Sequence, residues 1–295
     1  MHKPVLLNEI LANLRLLPNE IFIDGTLGGA GHSLAICQKY PAVSIIGFEL
    51  DPKARELANQ KLSEGDCNFK IIPDNFRNLE KSGMKEAAAI LFDLGLSSIE
   101  LTNSGRGFSF QKNEPLLMTF GEPDEYVATA KDIVNEWREE NLEMILRGYG
   151  EERYARRIAK SIVEEREKKP IATTTDLVQV IEKAVPANYK NRKIHFATKT
   201  FQAIRIAVND ELKVLTEALP KAFDLLKPGG RLLVISFHSL EDRIVKRFFR
   251  EKKKTGVAEI ITKKPIRTGE EEIGENPRAR SAKLRILEKL KYETI

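Results

Sequence analysis

Short apolar runs alternating with helical patterns predict an α/β fold, a doubly wound parallel sheet. Two further observations complete the expectation. Between residues 104 and 204 the alternation gives way to helical patterns alone, a stretch too long for a βα loop. The strand pattern then returns, with Arg231-Leu-Leu-Val-Ile-Ser236 as its clearest segment. The expected organisation is a discontinuous sheet domain, residues 1–103 and 205–295, interrupted by an all-helical insertion at 104–204. A chain of 295 residues accommodates this as one large or two ordinary domains.

Each element has a local reason. Ile21-Phe-Ile-Asp24 is an apolar strand that breaks into Gly25-Thr-Leu-Gly28-Gly29-Ala30-Gly31, and a helix follows through Leu34, Ala35 and Cys37. Val43-Ser-Ile-Ile-Gly-Phe48 is the second strand. It runs into Glu49-Leu-Asp51-Pro52, where Pro52 suits the first turn of a helix. Phe69-Lys-Ile-Ile72 is a third strand, and Ala87 to Phe92 a fourth that ends at Asp93. In the insertion, Ala155, Ile158, Ala159, Ile162 and Val163 form one apolar helical stripe, which Lys168-Lys169-Pro170 ends. Thr173 to Asp176 has capping-box spacing ahead of Leu177, Val178 and Ile181, with Pro186 as a stop. Phe201 to Leu219 reads as one long amphipathic helix, Lys227-Pro-Gly-Gly230 as a turn, and Ala258 to Ile261 as a last strand.

Composition excludes several classes. Apolar residues at 42% and charged residues at 31% fit a globular protein and not a disordered or fibrous one. Two cysteines, Cys37 and Cys67, argue against a disulfide scaffold. Four histidines, His2, His32, His195 and His238, show no metal-ligand spacing, so no metal is expected. The N-terminus lacks the pattern of a secretory signal, and no window of about 18 residues is apolar enough to span a membrane. A reducing, cytoplasmic location is the resulting expectation. A net charge of +5 permits a polyanionic partner without requiring one.

In an open parallel sheet, ligands bind beyond the carboxyl ends of the strands. Three such ends stand out: the glycine loop after the first strand, Glu49 after the second and Asp93 after the fourth. Glycines let a backbone approach a ligand closely, and a carboxylate at the place of Glu49 can accept hydrogen bonds from a ribose diol. The loop spacing, Gly25-x-x-Gly28-Gly29-x-Gly31, does not match the Gly-x-Gly-x-x-Gly of a dinucleotide site, and no P-loop is present. That disfavours a nicotinamide oxidoreductase and leaves two readings: a site for S-adenosylmethionine, which carries no pyrophosphate, or a tight turn flanked by solvated acids. Two basic clusters are candidates for phosphate contact or plain solvated surface: Arg153, Arg156, Arg157 and Lys160, and the tail group Arg278, Arg280, Lys283 and Arg285.

Taken in order, the segments resemble the bacterial 16S ribosomal RNA cytosine-N4 methyltransferases, the RsmH/MraW family. The resemblance rests on His2-x-Pro4-Val-Leu-Leu7, Asp24-Gly-Thr26-x-Gly28-x-x-Gly31-His32-Ser33, Asp93-Leu-Gly-x-Ser97-Ser98 and Arg106-Gly-Phe-Ser-Phe110. It continues through Gly150-Glu-Glu-Arg153, His195 to Arg205, Asn209-Asp-Glu-Leu212, Lys227-Pro-Gly-Gly-Arg231, Ile235 to Lys246 and Asn276 to Arg285.

This resemblance implies a Rossmann-like class I methyltransferase sheet, with S-adenosylmethionine as methyl donor. The implied acceptor is a decoding-centre cytidine of 16S ribosomal RNA in the small ribosomal subunit. The implied cofactor site is Ala30, Gly31, His32, Glu49, Phe76 beside the adenine, Asp93 and Glu100, with Asp93 as the candidate catalytic acceptor and the insertion as substrate-recognition domain. Monomer and homodimer both stay open. Ala30 stands where the family usually has Gly, Glu49 where it has Asp, and Glu100 where it has Gln. Pro115-Leu-Leu117-Met-Thr119-Phe120-Gly121 replaces a stretch that is usually more polar. These departures keep open a methyltransferase with another RNA, DNA or protein acceptor, and a non-catalytic nucleic-acid-binding relative.

Overall fold

The computed structural model describes residues 4–96 and 104–291. Internal contacts divide the chain into a sheet unit, Met1–Ser97 with Leu212–Ile295, and a helical unit, Ser98–Glu211. The sheet unit contains α1 (Leu7–Asn13), β1 (Ile21–Asp24), α2 (Gly31–Lys39), β2 (Ser44–Phe48), α3 (Pro52–Glu64), β3 (Asn68–Ile72) and β4 (Ala87–Asp93). The seven-stranded sheet has the order β3-β2-β1-β4-β5-β7-β6, where β5 is Leu226–Ser236, β6 Ala258–Ile260 and β7 Lys283–Lys289. The first five of these strands are parallel, and β7 inserts antiparallel between β5 and β6. The order reverses between β1 and β4, so the ends of those strands frame a crevice of the kind that holds ligands in open α/β sheets.

Strand alternation divides the core between the two faces of the sheet. Phe22, Ile45, Leu91, Leu233 and Ile286 cluster with Ile36 of α2 and Leu62 of α3. Ile23, Ile46, Phe92, Leu232 and Val234 point the other way, to Leu215 and Leu219 of the later helix Glu211–Leu225 and to Val245 and Phe249 of the helix Ser239–Lys254.

The helical unit contains α4 (Ala130–Glu136), α5 (Glu139–Gly148), α6 (Ala155–Arg166), α7 (Thr174–Ala184), α8 (Ala187–Lys190) and α9 (Thr198–Asn209). Ala155, Ile158, Ala159 and Ile162 are buried, as the apolar stripe predicts. The Thr173–Asp176 capping box forms: Thr173 Oγ1 accepts from the Asp176 N–H, and Asp176 Oδ2 accepts from the Thr173 N–H.

Three expectations need correction. The helix expected over Phe201–Leu219 is two helices, α9 and α10 (Glu211–Leu225), because Asp210 takes a left-handed φ of 52°. That break seats Glu211 against the guanidinium of Arg205 at 2.7 and 2.8 Å, and the helical unit therefore runs past residue 204 to the end of α9. Second, Lys227 to Gly230 is a bulged start of β5 rather than a free turn, with the register shifting opposite Ala87 and Ala89. Third, the two cysteines are not separate thiols: Cys37 of α2 and Cys67, just before β3, form a disulfide.

The tail segment expected to be a basic surface contains a full strand, β7. Leu284 and Ile286 enter one side of the core and Leu287 the other. The helix Ser239–Lys254 is α11, and Glu270–Glu275 is α12.

Candidate functional site

The glycine loop is shaped by hydrogen bonds to its neighbours. Asp24 ends β1 fully buried, and its carboxylate accepts from the Ser33 hydroxyl at 2.7 Å and the Thr26 N–H at 3.2 Å. The Thr26 hydroxyl oxygen accepts from the Asp93 N–H at 2.6 Å, which ties the end of β4 to the loop. Gly28 and Ala30 both have left-handed φ, at 50° and 57°. Glycine does this freely, whereas a buried alanine there costs about 1–2 kcal/mol. The left-handed Ala30 turns the chain into α2, whose N-terminus has no side-chain cap, so its first N–H groups have no partner within the helix. Gly25 is required by packing, since a Cβ there would lie 2.5 Å from the Phe92 ring.

Glu49 sits at the end of β2, half-buried. Its two carboxylate oxygens accept from the Gly28 N–H and the Asp51 N–H, each at 2.8 Å. This fixes the head group and leaves lone pairs for a ligand diol. Burial, opposed by those two N–H donors, pushes its pKa up to about 7. Phe76 opens a 3-10 stretch, packs on Phe92 with ring centroids 4.8 Å apart and is half-buried.

His32 and Asp93 meet beside the loop. His32 Nε2 donates to the Val5 carbonyl at 2.9 Å, so Nδ1 faces the Asp93 carboxyl at 3.6 Å. Asp93 Oδ1 is buried and has no hydrogen-bond partner among the described residues. Burial, and then the charges of Asp24 and Glu241, hold the Asp93 carboxyl well above the usual carboxylate range. Asp24 is pushed up to about 6, by burial that its two hydrogen bonds only partly offset.

The structure thus brings Ala30, Gly31, His32, Glu49, Phe76 and Asp93 together at the strand ends. Glu100 lies outside the described residues. The sequence reading missed three contributors. Asp24 and Ser33 are linked by their hydrogen bond, a pairing that adjacency to the glycine loop hints at. Glu241 comes from α11, and nothing local signals it. The site is acidic, and no lysine or arginine forms an ion pair with Asp24, Glu49 or Asp93 among the described residues. Carboxyls without a basic partner offer nothing that would neutralise a pyrophosphate, and they suit a ligand carrying a cationic centre. The orphaned Asp93 oxygen, the glycine cradle and the diol-ready Glu49 fit S-adenosylmethionine better than a dinucleotide.

The basic residues divide differently from expectation. Lys283 and Arg285 both hold Asp242, Arg285 Nε at 2.7 Å and Lys283 Nζ at 3.3 Å. Arg285 is buried and Lys283 half-buried, so both side chains are engaged within the fold rather than presented on an open surface. Arg278 and Arg280 lie on an exposed 3-10 turn. In the helical unit, Arg153 and Arg157 flank the Tyr154 ring at 5.8 Å each, and Arg192 lies 4.9 Å over Tyr189. The two tyrosine rings meet edge to face at 4.9 Å. Lys160 pairs with Glu164.

The stretch 115–121 is a packed segment of the helical unit. Leu116, Met118 and Thr119 are buried. Arg106 donates to the Thr119 and Phe120 carbonyls, and Asn209 both donates to the Met118 carbonyl and accepts from the Phe120 N–H.

The chain is similar to known proteins along nearly its whole length. A chain of Persephonella marina named ribosomal RNA small subunit methyltransferase H is 45% identical over 293 residues, covering 98% of this chain and 99% of the relative. Relatives of the same name from a Sulfurihydrogenibium species and from Clostridioides difficile are 46% and 44% identical. The first match covers 97% of this chain and 98% of the relative, and the second 98% and 99%. The profile of the MraW methylase family matches residues 1–290, and the chain belongs to that family.

Proposed function

We propose that this protein transfers a methyl group from S-adenosylmethionine to the N4 amine of a decoding-centre cytidine in 16S ribosomal RNA of the small subunit. The observation that carries the reading is the buried, unpartnered Asp93 Oδ1 at the mouth of an acidic glycine-loop crevice. The names of the curated relatives support ribosomal RNA of the small subunit as acceptor. When bound, the cofactor supplies an electrophilic methyl carbon on a positively charged sulfur.

The chain's own groups then divide the work. Glu49, held by Gly28 and Asp51, accepts from the ribose hydroxyls. Phe76 offers an apolar face to the adenine. The N–H groups at the start of α2, reached through Ala30, Gly31 and His32, face the anionic end of the cofactor. Asp93 accepts a hydrogen bond from the exocyclic amine. That matters because the amine lone pair of cytosine is delocalised into its ring, and hydrogen bonding from the amine favours localisation on nitrogen. The raised pKa of Asp93 suits a carboxylate that takes up the proton the amine releases. Positioning within about 3–3.5 Å supplies much of the remaining acceleration. The target base must leave any stack to reach the crevice.

The test is Asp93→Ala, assayed with methyl-labelled cofactor on small ribosomal subunits, with mass mapping of methylated cytosines. Loss of labelling with cofactor binding retained is the expected result. Undiminished methylation refutes the role of Asp93, and label on a different acceptor refutes the assigned substrate.

A further inference from the structure

The tail cluster expected to meet phosphate is partly neutralised by Asp242, and the residue that neutralises it points to a different basic surface. Asp242 belongs to α11, a 16-residue helix carrying seven basic side chains. Tertiary contacts sort six of them, all but Arg243. Lys252 lies over the Phe223 and Phe248 rings at 4.8 and 5.4 Å, and Lys253 pairs with Glu259 at 2.6 Å. Lys246, Arg247, Arg250 and Lys254 have no carboxylate partner among the described residues. Arg247, Arg250 and Lys254 are exposed and Lys246 is half-exposed. Their spacing, i, i+3 and i+7 from Arg247 with Lys246 beside, places them on one face over about 10 Å of helix.

We propose that this face of α11 is a phosphate rail that grips the backbone of the RNA substrate. The inference rests on the ribosomal RNA reading above for the identity of the polyanion. Three features support it. The acids of the first turn are turned away from the face: Glu241 accepts from the Phe237 and His238 N–H groups, and Asp242 holds Arg285. Like charges at i and i+4, Lys246 with Arg250 and Arg250 with Lys254, weaken a helix, and the exposed Glu251, four residues after Arg247, forms no ion pair with it among the described residues, so the stripe adds little to the stability of α11. Lys246, Arg247 and Arg250 also lie too far from the helix end for its dipole to account for them.

A lipid surface fits less well. A helix that lies on a membrane presents an apolar face, and that of α11, Leu240, Val245 and Phe249, is buried in the core.

The experiment is the triple variant Lys246→Gln, Arg247→Gln and Arg250→Gln, measured for binding to 16S ribosomal RNA across a salt series. Each phosphate contact removed lowers the slope of log K against log salt by about 0.7–0.9, so the triple variant loses about two to three from its slope. In turnover the effect falls on KM for the RNA substrate, which rises about tenfold or more, and not on S-adenosylmethionine affinity. The charge-conserving variant Lys246→Arg, Arg247→Lys and Arg250→Lys restores the slope. An unchanged slope in the glutamine variant overturns the rail. So does a loss confined to binding of phosphatidylglycerol vesicles. Binding is read without turnover: a reduced slope in a protein that methylates no ribosomal RNA leaves the rail standing and removes the proposed function.

Discussion

Replacing Asp24 with Asn tests the electrostatics of the crevice directly. The side chains are isosteric. The Asn carbonyl can still accept from the Thr26 N–H, and Ser33 can reverse its hydroxyl to accept from the new amide. Packing therefore stays and only the ionisation goes. In the folded chain Asp24 rises from an ordinary 3.8 to about 6, because burial outweighs its two hydrogen bonds. At 1.36 kcal/mol per pH unit, ionising it in place costs about 3 kcal/mol. Between about pH 4 and 6 the folded state binds a proton that the unfolded state has released, so stability falls as pH rises through that window, and the loss is complete above it. Denaturation midpoints measured from pH 5 to 7.5 should thus decline in the wild type and decline less in Asp24→Asn. At pH 7.5 the variant should be more stable by about 1–3 kcal/mol. Its curve stays sloped, since Glu49 and Asp93 titrate nearby and the apparent values belong to the cluster. The stabilised variant should bind S-adenosylmethionine about tenfold more weakly, with a smaller change for the demethylated product, whose sulfur is uncharged. Parallel pH profiles for the two proteins, or an Asn variant no more stable at pH 7.5, would refute the reasoning.

Glu49→Ala leaves the Gly28 and Asp51 N–H groups without their acceptor and removes the carboxylate proposed to hold the ribose diol. Calorimetry should show cofactor affinity falling by about ten- to a hundredfold, with a stability loss of about 1–3 kcal/mol. Arg285→Ala leaves Asp242 with Lys283 alone; against burial, which pushes its carboxyl up, Arg285 and Lys283 together hold it below the usual carboxylate range. Chemical denaturation at pH 7 should show a loss of about 1–3 kcal/mol, against less than about 0.5 kcal/mol for the exposed Arg280→Ala. Equal effects at the two positions would show that Arg285 is surface rather than structure.

The sequence by itself determined the sheet, the insertion and most of the crevice. Its central strands carry unbroken apolar runs such as Leu232-Leu-Val-Ile235, and burial on both faces leaves no other use for such runs. The crevice was legible because a parallel sheet places its strand ends at one edge, so the glycine loop, Glu49 and Asp93 had to converge. What tertiary structure alone decided depends on partners distant in the chain. β7 reads Lys283-Leu-Arg-Ile-Leu-Glu-Lys289, and its charges suggest surface until Asp242 neutralises two of them. The break at Asp210 is invisible to periodicity, because one left-handed residue interrupts a helix without disturbing the apolar stripe on either side. Which basic side chains of α11 keep an open face depended on Glu259, Phe223 and Phe248. Charge is written in the sequence, but whether it is neutralised is a property of what folds against it.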